Sequence, residues 1–253
     1  MRAKIISALA ASLAVFSSVQ AEELSISTTV GFESRYIFRG IQFAETSFQP
    51  AINLSYGDFY GGVWLNLPVG DDDLAVTPGG EELDFFAGYS TALNDFVTID
   101  AGVTFYTFPD ASSGLFDILR EDQGDFTGGT VEPYVGFSFT APLSPSLYFY
   151  RDFNFDTFTI QGSVSHSIPL EEKWSIDSGA TFGVVVDDDA GGDYIYGNVS
   201  VDLSYAVSDD ASISAGVRYG GSDIAGGSFI DDSILGTSQS SGFWWGIGFN
   251  SSF

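Results

Sequence analysis

Residues suited to covalent or metal chemistry are scarce in this chain, which has one His, His166, and no Cys among its 253 residues. Without Cys there is no disulfide, thiolate nucleophile, Cys-held zinc or iron–sulfur cluster, and one His leaves few ways to build a metal site or an acid/base pair. No metal and no cofactor is expected. Phe158, Ile160 and Val164 share the face of His166, while Ser165 and Ser167 fall on the other face of a strand. A base needs its nucleophile within hydrogen-bond reach, so His166 reads as a structural residue close to the turn at Pro169. A lipid hydrolase built on it is the weakest of the function classes, and the chain is expected not to be an enzyme.

Carboxylates, by contrast, are abundant: 34 Asp and Glu against 8 Lys and Arg give a formal charge of −26. Such a chain repels phosphate backbones instead of releasing their counterions, which excludes nucleic acid as a partner. What acids can do without a nucleophile is set the charge of a passage. The candidates are Glu33, Arg35, Arg39, Glu82, Asp84, Asp100, Glu132, Asp177, Asp202 and Arg218, which stand on the polar phase of segments whose apolar residues recur at every second position.

That period of two is the dominant pattern of the chain. Leu24, Ile26, Val30, Phe32, Tyr36 and Phe38 mark one face of the first segment, and Ser25, Ser27, Thr29, Gly31, Glu33, Arg35 and Arg39 mark the other. The same alternation runs from Val97 to Tyr106 and from Trp174 to Val186, and helical spacing fits neither stretch. Twelve such segments can be delimited, at 24–39, 47–56, 59–67, 81–92, 96–108, 130–140, 146–152, 157–168, 174–186, 194–205, 211–219 and 241–253. Most reach the roughly 9 to 11 residues that a tilted strand needs to cross a bilayer.

The connections between segments alternate in length. Gly57-Asp58, Asn94-Asp95 and the stretch after Pro169 make tight turns on one side, while 109–129 and 220–240 are long loops on the other. Short turns on one side and long loops on the other predict an all-β fold, a single antiparallel transmembrane β-barrel of about twelve strands in the bacterial outer membrane. A secreted β-sandwich also alternates, but it would not call for apolar faces this rich in aromatics, which make up 16% of the chain.

The first residues agree with export. Arg2 and Lys4 precede an apolar run from Ile5 to Phe16 and the small-residue site Val19-Gln20-Ala21, so 1–21 reads as a secretory signal and 22–253 as the barrel. Beyond Ala21 no apolar run is long enough for a helical span. The last segment alternates through Phe243, Trp245, Ile247 and Phe249 to Phe253, which resembles the terminal signal read by the barrel assembly machinery.

The first hairpin is more specific. Ser34-Arg35-Tyr36-Ile37-Phe38-Arg39-Gly40-Ile41, then Gln49-Pro50-Ala51 and Gly57-Asp58-Phe59-Tyr60-Gly61-Gly62-Val63-Trp64, resembles the TorF-type family of outer-membrane porins. Glu82 to Tyr89 is similar to that family's next shared stretch, and Arg35 stands where the family pattern has Asn. The resemblance covers Val30 to Thr107 most clearly and implies a barrel with a pore, without naming a solute.

Twelve strands lie between small barrels filled by side chains and large ones holding a water channel, so what faces inward decides the bore. Ser175, Asp177, Gly179, Thr181 and Gly183, with Ser212, Ser214, Gly216 and Arg218, make thin polar walls, whereas Tyr60, Trp64, Tyr134 and Trp244 narrow the lumen. Arg35, Arg39 and Arg218 are expected near the outer mouth on one side, with Glu82, Asp84 and Glu132 on the opposite side. These charges either hold a transverse field across a constriction or pair with one another, with Glu33 taking part, and stiffen a closed mouth.

Asp100, Asp177 and Asp202 sit lower, with no base at matching height, and would favour cations in a water-filled lumen. Arg151 faces inward or outward according to whether Tyr148 and Tyr150, or Leu147 and Phe149, form the outer face. Acids also crowd the long loops, including Asp71 to Asp73, Asp187 to Asp189 and Asp231-Asp232, with Arg120 as the base among them. They either stay solvated or bridge to lipopolysaccharide through divalent cations, although no EF-hand spacing is present.

The function expected is therefore a narrow, weakly cation-selective porin for small polar or charged solutes. A non-conducting structural or adhesive barrel, whose acidic loops bind a ligand and whose Phe116, Ile118 and Leu119 plug the bore, is the alternative. Its partners would be outer-membrane lipid, lipopolysaccharide and the assembly machinery.

Overall fold

In the computed structural model the described residues are 24–69, 81–109, 129–187, 192–224, 229–231 and 237–253. The segment 1–21 expected to direct export, Asp71 to Asp73, Phe116 to Arg120, Asp188, Asp189 and Asp232 lie outside them.

Antiparallel strands make up the regular structure of the described residues. Twelve of them form the ring: β1 (Ser25–Glu33), β4 (Ser47–Tyr56), β5 (Phe59–Pro68), β6 (Glu82–Ala92), β7 (Val97–Thr107), β8 (Gly129–Phe139), β9 (Ser146–Asp152), β10 (Thr157–Pro169), β11 (Trp174–Asp187), β12 (Tyr194–Ala206), β13 (Ala211–Ser222) and β16 (Ser241–Ser252). Two small hairpins, β2 (Tyr36–Phe38) with β3 (Ile41–Ala44) and β14 (Phe229–Asp231) with β15 (Thr237–Gln239), lie outside the ring order.

Each ring strand pairs with its predecessor, and β1 closes the barrel on β16, with Val30 opposite Phe249 and Glu33 opposite Gly246. At the closing end Ile26 and Phe253 exchange both of their backbone hydrogen bonds, at 3.3 and 2.8 Å. The turns at that end follow from local chemistry. Gly57 adopts a φ of 58°, which an L side chain resists, and the Asn94 carboxamide oxygen accepts from the Phe96 and Val97 amides at 2.9 and 3.0 Å. At the other end Asp152 Oδ1 takes the Asn154 and Phe155 amides at 2.9 and 2.8 Å, which fixes a tight turn there.

The first predicted segment, 24–39, is not one strand. β1 ends at Glu33, and the Ser34 amide makes the last ladder contact, to Trp245 O at 2.9 Å. The chain then folds back on itself at Arg39 and Gly40, whose φ angles are 46° and 77°. Two successive positive φ values are the geometry of a tight hairpin turn. Tyr36 and Phe38, whose spacing continued the outer-face pattern, therefore point into the barrel. β13 also runs past its expected end, to Ser222.

Across the ring the two faces of each strand differ as a bilayer-spanning sheet requires. On β12 Ile195, Val199, Val201 and Leu203 are exposed outward, and on β16 Phe243, Trp245, Ile247 and Phe249 are. Aromatic pairs gather at both ends of this apolar band. Phe59 with Tyr89 (5.0 Å) and Trp174 with Tyr205 (4.7 Å) lie by the short turns, and Tyr219 with Phe243 (4.5 Å) lies at the opposite rim.

A continuous apolar band of this extent is tolerable only where hydrocarbon covers it. Val217, midway along β13 and 57% exposed, makes the test. Val217→Arg should cost about 2–4 kcal/mol in urea unfolding from lipid vesicles, the cost of a cation at the midplane. A change within the ±0.5 kcal/mol typical of a water-facing site would contradict a lipid-facing position.

Candidate functional site

Strand alternation sends one residue in two into the lumen, and the inner wall divides into two unlike halves. From β5 to β9 it carries Tyr60, Trp64, Tyr106, Tyr134, Tyr148 and Tyr150 together with acids, most of them buried. From β10 to β13 it carries Ser163, Gly179, Thr181, Asn198, Ser200 and Ser214, which remain partly open, alongside buried Asp177, Val185, Tyr196 and Arg218.

Glycine on the neighbouring strand is what lets the tyrosines lie flat against the first half. A Cβ added at Gly102 would collide with Tyr134, one at Gly88 with Tyr60, and one at Gly136 with Tyr148. Asp100 ties these rings together: it accepts from Tyr60 at 2.6 Å and from Tyr148 at 2.9 Å, and Tyr60 and Tyr134 share a 2.5 Å hydroxyl contact. Tyr148 and Tyr150 stack at 5.9 Å. Aromatic area and a satisfied carboxylate thus fill this side of the bore.

The β2–β3 hairpin fills the upper part of the same side. Tyr36 packs on Trp64 at 5.4 Å and Phe38 on Tyr106 at 5.8 Å. Arg39, at the tip, makes a bidentate pair with Glu132 of β8, at 2.7 and 2.8 Å, with side-chain exposures of 10% and 1%. Its guanidinium also lies 4.7 Å from the Phe38 ring and 4.9 Å from the Tyr150 ring, contacts worth about 0.5–2 kcal/mol each when desolvated. Gly40 is pressed against Gly221 and Tyr196 on the far wall, where a Cβ would not fit. The hairpin therefore spans the lumen from β5 to β13. Gln42, opposite Ile37 in the hairpin, is 1% exposed and accepts from Arg35 at 3.5 Å.

The third cluster joins β1, β12 and β13. Arg218 contacts Asp202 at 2.9 Å and Glu33 at 3.6 Å, and the Glu33 carboxylate occupies the space above Gly246. Asp177 stands opposite Asp202 in the β11–β12 register and accepts from Ser175 at 3.1 Å.

The ten charged residues singled out in the sequence divide by neighbourhood. Arg39 and Glu132 meet, as do Arg218, Asp202 and Glu33. Glu82 and Asp84 lie buried beneath the hairpin side, and Asp100 belongs to the tyrosine cluster. Two expectations are corrected. Arg35 and Arg39 are on the loop beyond β1 and not on its wall, because the ladder stops at Glu33. Asp202 does have a base at its height, Arg218, brought level by the β12–β13 register that sets Ser200 opposite Arg218 and Asp202 opposite Gly216.

Arg151 points outward beside Leu147 and Phe149 and pairs with Asp156, which puts Tyr148 and Tyr150 inside. His166 is exposed on the outer face of β10. The hairpin went unread in the sequence, where its one local signal is Arg39-Gly40 between Ile37-Phe38 and Ile41. The tyrosine cluster was only partly read, and its signal is the glycines at inward positions 88, 102 and 136.

Removing one partner of a buried ion pair leaves the other uncompensated, at about 3–5 kcal/mol. Glu132→Gln should therefore loosen the hairpin from β8, and trypsin should cleave after Arg39 several-fold faster in folded protein. Cleavage at the unaltered rate would show that the pair does not hold the hairpin.

Comparison with proteins of known structure gives the fold a context. The chain resembles "KdgM porin in complex with disordered oligogalacturonate" with a TM-score of 0.54 and 12% identity, over 90% of this chain and 99% of that one. It resembles the NanC porin with a TM-score of 0.53 and 12% identity, over 89% and 98% of the two chains. At such identity the shared property is the barrel fold. No curated protein matches the sequence. Residues 19–250 match the family described as "Bacterial protein of unknown function (Gcw_chp)", and the chain belongs to that family.

Proposed function

We propose that the chain is an outer-membrane channel through which small polar or charged solutes diffuse passively, narrow and weakly cation-selective. The observation that carries this reading is a closed twelve-strand ring with an exposed apolar exterior around a polar interior, in a fold shared with two porins. The stretches Ser34 to Ile41, Gly57 to Trp64 and Glu82 to Tyr89 support a kinship with the TorF-type porins. Residues 1–21 serve as the export signal, the strand ending at Phe253 is offered to the barrel assembly machinery, and the outer apolar band meets lipid. The acidic loops face lipopolysaccharide.

Charge decides which solutes are favoured. Glu33, Glu82, Asp84, Asp100, Glu132, Asp152, Asp177 and Asp202 lie on inward positions, against Arg39 and Arg218 on the same described lumen. A surplus of fixed negative charge in a low-dielectric tube favours cations. A polyanion such as the oligogalacturonate named with the KdgM porin would be repelled here, so like folds carry unlike solutes.

The hairpin across the bore favours a second reading, a barrel closed at rest that conducts nothing and serves as an adhesive or structural body. Planar-bilayer recording separates the two. Reproducible current steps are expected, with a reversal potential in a KCl gradient displaced toward the potassium side but short of full selectivity. Folded, inserted protein that gives no steps would establish the closed barrel, and displacement toward chloride would contradict the charge argument.

A further inference from the structure

We infer that the solute route is eccentric, running along the β10–β12 wall with Asp202 as the side chain that selects charge. The inference rests on the channel reading above and assigns the selectivity of that same lumen to one residue.

Exposure separates the two walls. Along β8 and β9 every inward position from Thr130 to Gly136 and from Tyr148 to Asp152 is buried. The tyrosines seated over Gly88, Gly102 and Gly136, most of the hairpin and the Arg39–Glu132 pair fill that side, while the hairpin tip at Gly40 reaches Tyr196 of β12 above the open strip. Along β10 to β12 the mid-height inward positions Ser163, Ser165, Gly179, Thr181, Asn198 and Ser200 are partly or fully open, between buried Val185 and Tyr196 above and buried Asp177 and Ser204 below. They are contiguous, because the register places Ser163 beside Thr181, Thr181 beside Asn198, and Gly179 beside Ser200. Hydroxyls and an amide on small side chains leave both width and hydrogen-bonding capacity for a hydrated solute.

The acids can then be ranked by whether a solute meets them. Glu132 is 1% exposed, Asp100 3%, Glu33, Glu82 and Asp177 5% each, and Asp84 7%. Carboxylates so covered shape the background field but are not touched by what passes. Asp202 has a side chain 17% exposed and stands one inward position below Ser200, at the foot of the open strip. Its Oδ1 is buried toward Arg218, which leaves the remainder of the carboxylate to the lumen. Arg218 itself is 4% exposed, so the local cation is hidden while the anion is presented. A charge that a solute can approach closely outweighs covered charges farther away, since the interaction falls with distance and is screened over about 10 Å at 0.1 M salt.

The test uses the whole chain in planar bilayers, with Ser200→Cys and Thr181→Cys on the open strip and Thr130→Cys on the buried wall, exposed to cationic and anionic methanethiosulfonates. Modification of Cys at 200 and 181 should reduce the current, and Cys at 130 should be unreactive. The cationic reagent should react faster with Cys at 200. Adding Asp202→Asn should reduce that preference by about threefold or more, as loss of one charge at close range implies. The same substitution should move the reversal potential toward zero, while Asp95→Asn, in the exposed turn between β6 and β7, should leave the preference at 200 unchanged.

If the unaltered protein conducts but current is insensitive to modification at 200 and 181, the route lies elsewhere. If the preference survives Asp202→Asn in protein that still inserts, Asp202 does not select. Either result overturns this inference and leaves the channel standing. An unaltered protein without current overturns the channel itself.

Discussion

Backbone hydrogen bonding across the β1–β16 seam is the constraint on which the rest of the structure depends. In hydrocarbon every strand amide and carbonyl must find a partner within the protein, and an open sheet would leave two edges bare. Pairing Ser27 through Glu33 with Ser252 through Gly246 removes both edges. Closure then fixes which side chains face out, because a shift of one residue would turn the apolar set of a strand inward. The exposed band on β12, β13 and β16 and the polar interior are two results of one register.

Closure also creates a problem of volume. Twelve strands enclose more space than their small inward residues fill, and the sequence spends most of its bulk on one side, with Tyr196 of β12, seated over Gly183, buried opposite. Tyrosines laid over glycines line β5 to β9, and the first outer connection is turned inward and held by an ion pair to β8. The pair is well placed for such work: its two parallel hydrogen bonds fix direction as well as distance, and Phe38 and Tyr150 exclude water from it. The opposite wall, from Ser163 to Ser200, is left thin and polar. An asymmetric filling of this kind narrows a bore without needing fewer strands.

Much of the fold could be read in the residues. Alternation marks eleven of the ring strands to within a few residues, and the turn chemistry of Gly57 and Asn94 locates the end of the barrel that carries the tight turns. The failure at 24–39 is instructive. Tyr36 and Phe38 keep the period of β1, so the pattern continues although the strand does not, and only the left-handed Arg39-Gly40 turn betrays the hairpin. Which charges pair was less legible, because pairing depends on where each strand stands against its neighbour. Arg218 meets Asp202 through a register that no single strand contains, and Arg39 reaches Glu132, 93 positions further along the sequence, across the lumen.

The division between an outward lipid face and an inward polar face is most directly measured by spin labels placed one at a time along β12, from Ile195 to Leu203, in reconstituted vesicles. Collision with oxygen should peak at 195, 199, 201 and 203, and collision with a water-soluble nickel chelate should peak at 198, 200 and 202, the two profiles out of phase with a period of two. Profiles in phase, or oxygen excluded from the apolar positions, would mean that those side chains are packed inside protein and that the ring does not stand in a membrane.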